Sequence, residues 1–201
     1  SHVLGALDPF VAMRDCEEEI KNDSTIKSLR DAVPQDAAVC VVGWPTTVLN
    51  ALASRGDLKL FVVESNGDGD AAVERLISMD VDATLVQFEE VSRVVSSCDV
   101  LIIEALAAGS TEVLCSSGSH AVAALGYVTQ KPVWLVAACG TRLPAPLWSA
   151  MTSGDAVNEV DLVTLSLFSR VISKDGISDD LSQPFVAECP PTTELLRHSA
   201  M

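Results

Sequence analysis

Cys98–Asp99–Val100–Leu101–Ile102–Ile103–Glu104 sets an unbroken apolar run between polar residues. A short run of that kind, without alternation, reads as a strand covered on both faces. Small and polar residues follow as far as Ser117–Gly118–Ser119–His120, which open the helical pattern Ala121–Val128. In open α/β sheets, ligand sites lie outside the carboxyl ends of strands, where such loops gather. Any chemistry in this chain is expected at this loop.

The same unit recurs on either side. Ala37–Val42 reads as a strand, Gly43–Trp44–Pro45 as a turn, and Thr46–Ser54 as a short helix with Val48, Leu49 and Leu52 on one side. Leu58–Val63 and Asp82–Val86 are further strands, with a helix over Asp70–Met79 that turns Ala72, Val73, Leu76 and Ile77 inward. Glu89–Ser97 is a helix before the strand Val100–Ile103, and Pro132–Ala138 is a fifth strand. Strands alternating with helices indicate βαβ units. Right-handed crossovers then give a Rossmann-like α/β fold, a parallel sheet with helices on both faces.

The ends are less regular. Pro9 suits the first position of a helix, and Asp23–Ser24 would cap another, with Ile26 and Leu29 inward. Residues 1–35 are expected to be a helical connector into a domain spanning residues 36–201. Leu143–Pro144–Ala145–Pro146–Leu147–Trp148 is expected to be irregular, because two prolines remove donors and fix φ. Val160–Leu165 and Ser169–Ile172 are candidate short strands, and Pro184–Arg197 a tail.

Composition narrows the class. The chain has 201 residues, 48% hydrophobic and 20% charged, which is enough for a sizeable globular core. A net charge of -15 opposes nucleic-acid and anionic-membrane binding, both of which need a positive field. The six cysteines show neither a CxxC pair nor Cys/His ligand spacing, so reduced thiols are expected and no metal site. No apolar run approaches the roughly 18 residues of a membrane span. A cytoplasmic protein fits best.

Three stretches could hold a ligand. Gly67–Asp68–Gly69–Asp70–Ala71–Ala72 matches a dinucleotide fingerprint, but Glu64, Asp68 and Asp70 would repel a pyrophosphate. No cofactor is expected there. Gly43 with Thr46 and Thr47 opens a helix, where backbone N–H groups suit an anion. At Gly118–Ser119–His120, His120 invites a general-base reading, with Cys115 or Ser117 as nucleophile and Glu104 or Glu112 as orienter. No nucleophile-elbow sequence accompanies them. Arg142 would meet an anion or a carboxylate.

Several of these segments together resemble one family. Gly43–Trp44–Pro45–Thr46–Thr47–Val48–Leu49, Phe61–Val62–Val63–Glu64–Ser65, Leu101–Glu104 with Ser117–His120, Lys131–Pro132–Val133 and Arg142–Leu143–Pro144 follow its order and spacing over roughly residues 37–150. The family is the Rossmann-like C-terminal domain of the α, β and δ subunits of eukaryotic translation initiation factor 2B. Isomerases acting on methylthioribose 1-phosphate and ribose 1,5-bisphosphate share this domain.

The resemblance implies a regulatory, non-catalytic subunit rather than an enzyme. The isomerases carry a Cys after the first strand, an Asp after the fourth and Asn-Lys before the Gly-Thr helix start. Here those places hold Gly43–Trp44–Pro45, Glu104–Ala105–Leu106 and Cys115–Ser116. Ser117–Gly118–Ser119–His120 and Cys139–Gly140–Thr141–Arg142–Leu143–Pro144 are most similar to the β subunit. The expected partners are the other subunits of the initiation factor 2B complex, a guanine-nucleotide exchange factor, and initiation factor 2 itself, in a hetero-oligomer. Residues 1–35 would be the remnant of the family's N-terminal helical domain. Gly43, Thr46, Thr47, Glu64, Glu104, Gly118, Ser119, His120 and Arg142 would line a vestigial phosphate pocket. The alternatives are a sugar-phosphate isomerase-like enzyme with rearranged groups, or a phosphometabolite-binding module of the same fold.

Overall fold

The computed structural model describes residues 6–153, 159–181 and 185–191. β1 (Ala38–Val42), β2 (Lys59–Val63), β3 (Asp82–Val86), β4 (Val100–Ala108), β6 (Val133–Ala137) and β8 (Arg170–Ser173) form a parallel sheet in the order β3-β2-β1-β4-β6-β8. The chain runs outward from β1 to β3 and then returns to the other side of β1. The order therefore reverses between β1 and β4, the crevice where this architecture places ligands.

Three antiparallel pairings extend this sheet. β9 (Gly176–Ser178) closes the edge on β8. The far half of β4 bends away and pairs with β5 (Glu112–Ser116), which pairs in turn with β7 (Val160–Thr164). The fourth strand thus continues past the expected Ile103 to Ala108, and part of the expected loop is β5. The register shifts between Ala105 and Ala107 mark the bend.

Helices cover both faces, as the alternation of elements predicts. α2 (Thr25–Ala32), α3 (Thr46–Leu52) and α4 (Asp68–Ile77) lie on one face; α5 (Val91–Ser97) and α6 (Ser119–Val128) lie on the other. Successive strand residues serve opposite layers, because side chains alternate across a sheet. Val39, Val41, Val100, Ile102, Trp134 and Val136 join the α2–α4 core. Cys40, Val42, Leu101, Ile103, Val133 and Leu135 join the α5–α6 core. Burying each Val, Leu or Ile contributes about 1.5–3 kcal/mol, so the continuous runs in β1, β4 and β6 are the main driving force.

α6 comes unusually close to the sheet. A Cβ on Gly126 would lie 2.5 Å from both Leu101 Cδ1 and Val133 Cγ2, so only glycine fits. Leu29 of α2 is fully buried, while Ile26 is 39% exposed, contrary to the inward placement expected for both. Ile77, at the end of α4, is likewise exposed, because the buried stripe ends at Leu76. Asp23 rather than Ser24 caps α2, accepting from Thr25 N at 2.8 Å.

α1 (Pro9–Lys21) begins with Asp8 accepting from Phe10 N and Val11 N, and it buries none of its residues. The stretch expected to be irregular at Leu143–Trp148 instead opens α7 (Ala145–Thr152). Its prolines sit at the N-cap and in the first turn, where a missing N–H costs nothing. Trp148 packs on Gly109, whose hypothetical Cβ would lie 2.6 Å from the indole ring. Within the tail expected over Pro184–Arg197, residue 184 and residues 192–197 lie outside the described residues. No helix among the described residues is long and apolar enough to cross a membrane.

Candidate functional site

Gly43 ends β1 with φ +63° and donates its N–H to Val63 O at 2.9 Å. A Cβ there would lie 3.1 Å from Ser65 Cβ, so the turn needs glycine for both its angle and its closeness to the end of β2. α3 starts directly behind it. Its first free amides meet a carboxylate from the neighbouring strand rather than open space. Glu104 Oε2 accepts from Thr47 N at 2.9 Å and Val48 N at 3.2 Å, and Oε1 accepts from the Thr47 hydroxyl at 2.7 Å. Glu104 shares the parity of Val100 and Ile102, which points it to the α3 side of the sheet. Burial raises its carboxyl above the ordinary value, against the opposing pull of the Thr47 and Val48 bonds. Thr46 is exposed at the helix start.

The same motif is repeated along this edge. After β2, Glu64 Oε1 accepts from Gly67 N at 2.5 Å. Gly67 is the left-handed cap of α4 (φ +90°). A Cβ on Gly69 would lie 2.9 Å from Glu64 Cα, so the glycines of the fingerprint-like motif allow close approach of helix and strand. At α6, Asp161 Oδ2 from β7 accepts from His120 N at 2.8 Å. After β6, Asp23 Oδ2 accepts from Cys139 N at 2.8 Å, and Glu188 Oε2 accepts from Gly140 N at 2.7 Å.

A cavity of about 560 Å³ opens beside Glu64 and Asp161, lined as well by Ser65, Asn66, Phe88, Ser117, Gly118, His120, Ala121 and Ala124. Of the residues expected from sequence, the structure brings Glu64, Gly118 and His120 to this wall. Gly43 lies behind Ser65. Ser119 is buried under the first turn of α6. Thr47 and Glu104 engage each other at the crevice between β1 and β4. Arg142 is elsewhere: it bonds Asp175 at 2.6 Å and Glu188 at 3.1 Å.

These positions limit the chemistry. The carboxylate that reaches His120 takes its backbone N–H and not the imidazole. Cys115 is fully buried in β5, and burial together with Asp161 and Glu104 pushes its thiol far up, which leaves it a poor nucleophile. Glu112 sits in the β5–β7 ladder opposite Thr164. Asp161 and Glu188 carry no sequence signal for these roles, and Asp23 is read from sequence only as a helix cap. Each acts on a backbone amide far away in the chain, a relation that leaves no local pattern.

No protein-family model and no curated protein matches this sequence. Solved structures do. eIF2B beta from Chaetomium thermophilum superposes with a TM-score of 0.67 at 15% identity, covering 82% of this chain and 52% of that one. The fold is that of the eIF2B beta and delta subunits. eIF2B delta from the same organism gives a TM-score of 0.71 at 11% identity over 83% of this chain and 62% of that one. The tetrameric eIF2B-beta2-delta2 complex from C. thermophilum gives 0.68 at 15% identity, over 85% and 61%. The present chain spans about half the length of eIF2B beta.

Proposed function

We propose that this chain is a non-catalytic, β-type regulatory subunit of the guanine-nucleotide exchange factor complex for initiation factor 2, acting in the cytoplasm within a hetero-oligomer. The observation that carries this reading is the set of carboxylates at the sheet's carboxyl edge. Glu104, Glu64 and Asp161 accept from the backbone amides that would otherwise be free to hold a phosphate. A sugar phosphate entering the neighbouring cavity would face Glu64 and Asp161 and would have to displace them.

The eIF2B fold and its occurrence in a beta2-delta2 complex support assembly as the use made of this scaffold. The β assignment rests on the resemblance at Ser117–His120 and Cys139–Pro144. Tyr127 and Val128, 63% and 76% exposed at the end of α6, add apolar surface of the kind that partners cover. In the proposed subunit, residues 1–35 lead into the domain at 36–201 as a connector.

Sizing the chain by light scattering, alone and mixed with a δ-type eIF2B subunit, tests the proposal. A stable mixed complex is expected. Two species eluting unchanged, together with turnover of ribose 1,5-bisphosphate or methylthioribose 1-phosphate, would favour the enzyme alternative.

A further inference from the structure

A second cavity, about 200 Å³, has cysteines on its wall from segments far apart in sequence: Cys16 of α1, Cys139 after β6 and Cys189 of the segment 185–191. These thiols are free and partly exposed, whereas Cys40, Cys98 and Cys115 are buried. Nothing in the proposed assembly role uses them.

Hydrogen bonds bring together the segments that carry two of the three. Glu188 N donates to Arg142 O at 3.0 Å, and the Glu188 carboxylate accepts from Gly140 N at 2.7 Å and Arg142 N at 3.2 Å. Cys139 and Cys189 are the chain neighbours of Gly140 and Glu188. The segment carrying Cys189 is therefore laid along the loop carrying Cys139, with both residues on one cavity wall open to small solutes.

We infer that this cavity is a thiol-oxidation site at which hydrogen peroxide joins Cys139 to Cys189. One thiolate attacks the peroxide oxygen: an S–O bond forms, the O–O bond breaks, and hydroxide leaves as water after taking a proton. The second thiolate attacks the sulfenic sulfur: the S–S bond forms, the S–O bond breaks, and a second water leaves. With hydrogen peroxide, the two thiols give up two electrons and two protons, and the peroxide is reduced to two waters. The product ties the segment 185–191 covalently to the loop after β6. Burial and Glu188 push the Cys139 thiol up, with Asp23 and Glu19 adding to Glu188 and Lys174 opposing it, while Arg142 also faces the cavity. Linkage therefore speeds up as pH rises and more thiolate forms.

The test treats the folded 201-residue chain with hydrogen peroxide, blocks remaining thiols, digests without reduction and maps the peptides by mass spectrometry. A Cys139–Cys189 linked peptide is expected, reversed by dithiothreitol and absent from Cys189→Ser. Cys40, Cys98 and Cys115 should be blocked only after unfolding. Linkage through Cys16 or between Cys40 and Cys98 in the folded chain would overturn the inference. So would conversion of Cys139 and Cys189 singly to sulfinic acids. The wild-type map decides the matter even if the variant folds poorly.

Discussion

Glu104, at the turn-off point of β4, grips the start of α3 through Thr47. Its carboxylate accepts from the Thr47 amide at 2.9 Å and from the Thr47 hydroxyl at 2.7 Å. The bond ties β4 to the helix that follows β1, and it sets a carboxylate of the protein against the first amides of that helix.

The folded-state carboxyl of Glu104 is raised by burial. The folded chain therefore holds this proton more tightly than the unfolded chain does. Its contribution is full below the unfolded value and is lost as pH rises through the folded one. Urea denaturation of wild type and Glu104→Gln should show the wild-type advantage shrinking as pH rises above the ordinary carboxylate range of about 4. An advantage that grows with pH would count against a desolvated Glu104.

Asp161 serves the N-terminus of α6 from β7. Asp161→Ala should cost about 1 kcal/mol, the usual cost of a lost cap acceptor. Chemical denaturation at neutral pH measures it. A change indistinguishable from zero would mean that water replaces the carboxylate at no cost.

Gly126→Ala forces a methyl group into Leu101 and Val133. Overpacking of that kind costs about 1–3 kcal/mol, even though alanine is the better helix former. A gain in stability would show that α6 can move off the sheet freely.

Arg142 and Glu188 are both largely covered, with side chains 14% and 9% exposed, whereas Arg93 and Glu90 are open at 75% and 47%. Arg142→Ala removes the guanidinium from Asp175 and Glu188, leaving Glu188 the amides of residues 140 and 142, and should cost about 1–3 kcal/mol. Arg93→Ala should stay within about 0.5 kcal/mol. Melting both variants side by side checks the contrast.

The parallel core is readable because β1, β2, β4 and β6 are short, mainly apolar runs separated by helical periods. β5 is not. Its apolar centre, Val113–Leu114–Cys115, is short, and its partner β7 lies far along the chain. α7 was obscured by prolines that break a helix interior but not its first turn. At the site, sequence placed Glu64, Gly118 and His120 on what became one wall. Glu64 serves an amide three residues on, but the amides served by Glu104 and Asp161 depend on tertiary approach: Glu104 and Thr47 meet only because β4 returns beside β1. Arg142, read from sequence as meeting an anion or a partner carboxylate, meets the carboxylates of Asp175 and Glu188 in its own chain.

The claim that the protein's own carboxylates occupy the anion seats of this edge is tested most directly by titrating ribose 1,5-bisphosphate into the chain in a calorimeter. No saturable heat is predicted up to millimolar ligand. A saturable heat that disappears in His120→Ala would place a sugar phosphate in the cavity and contradict the account.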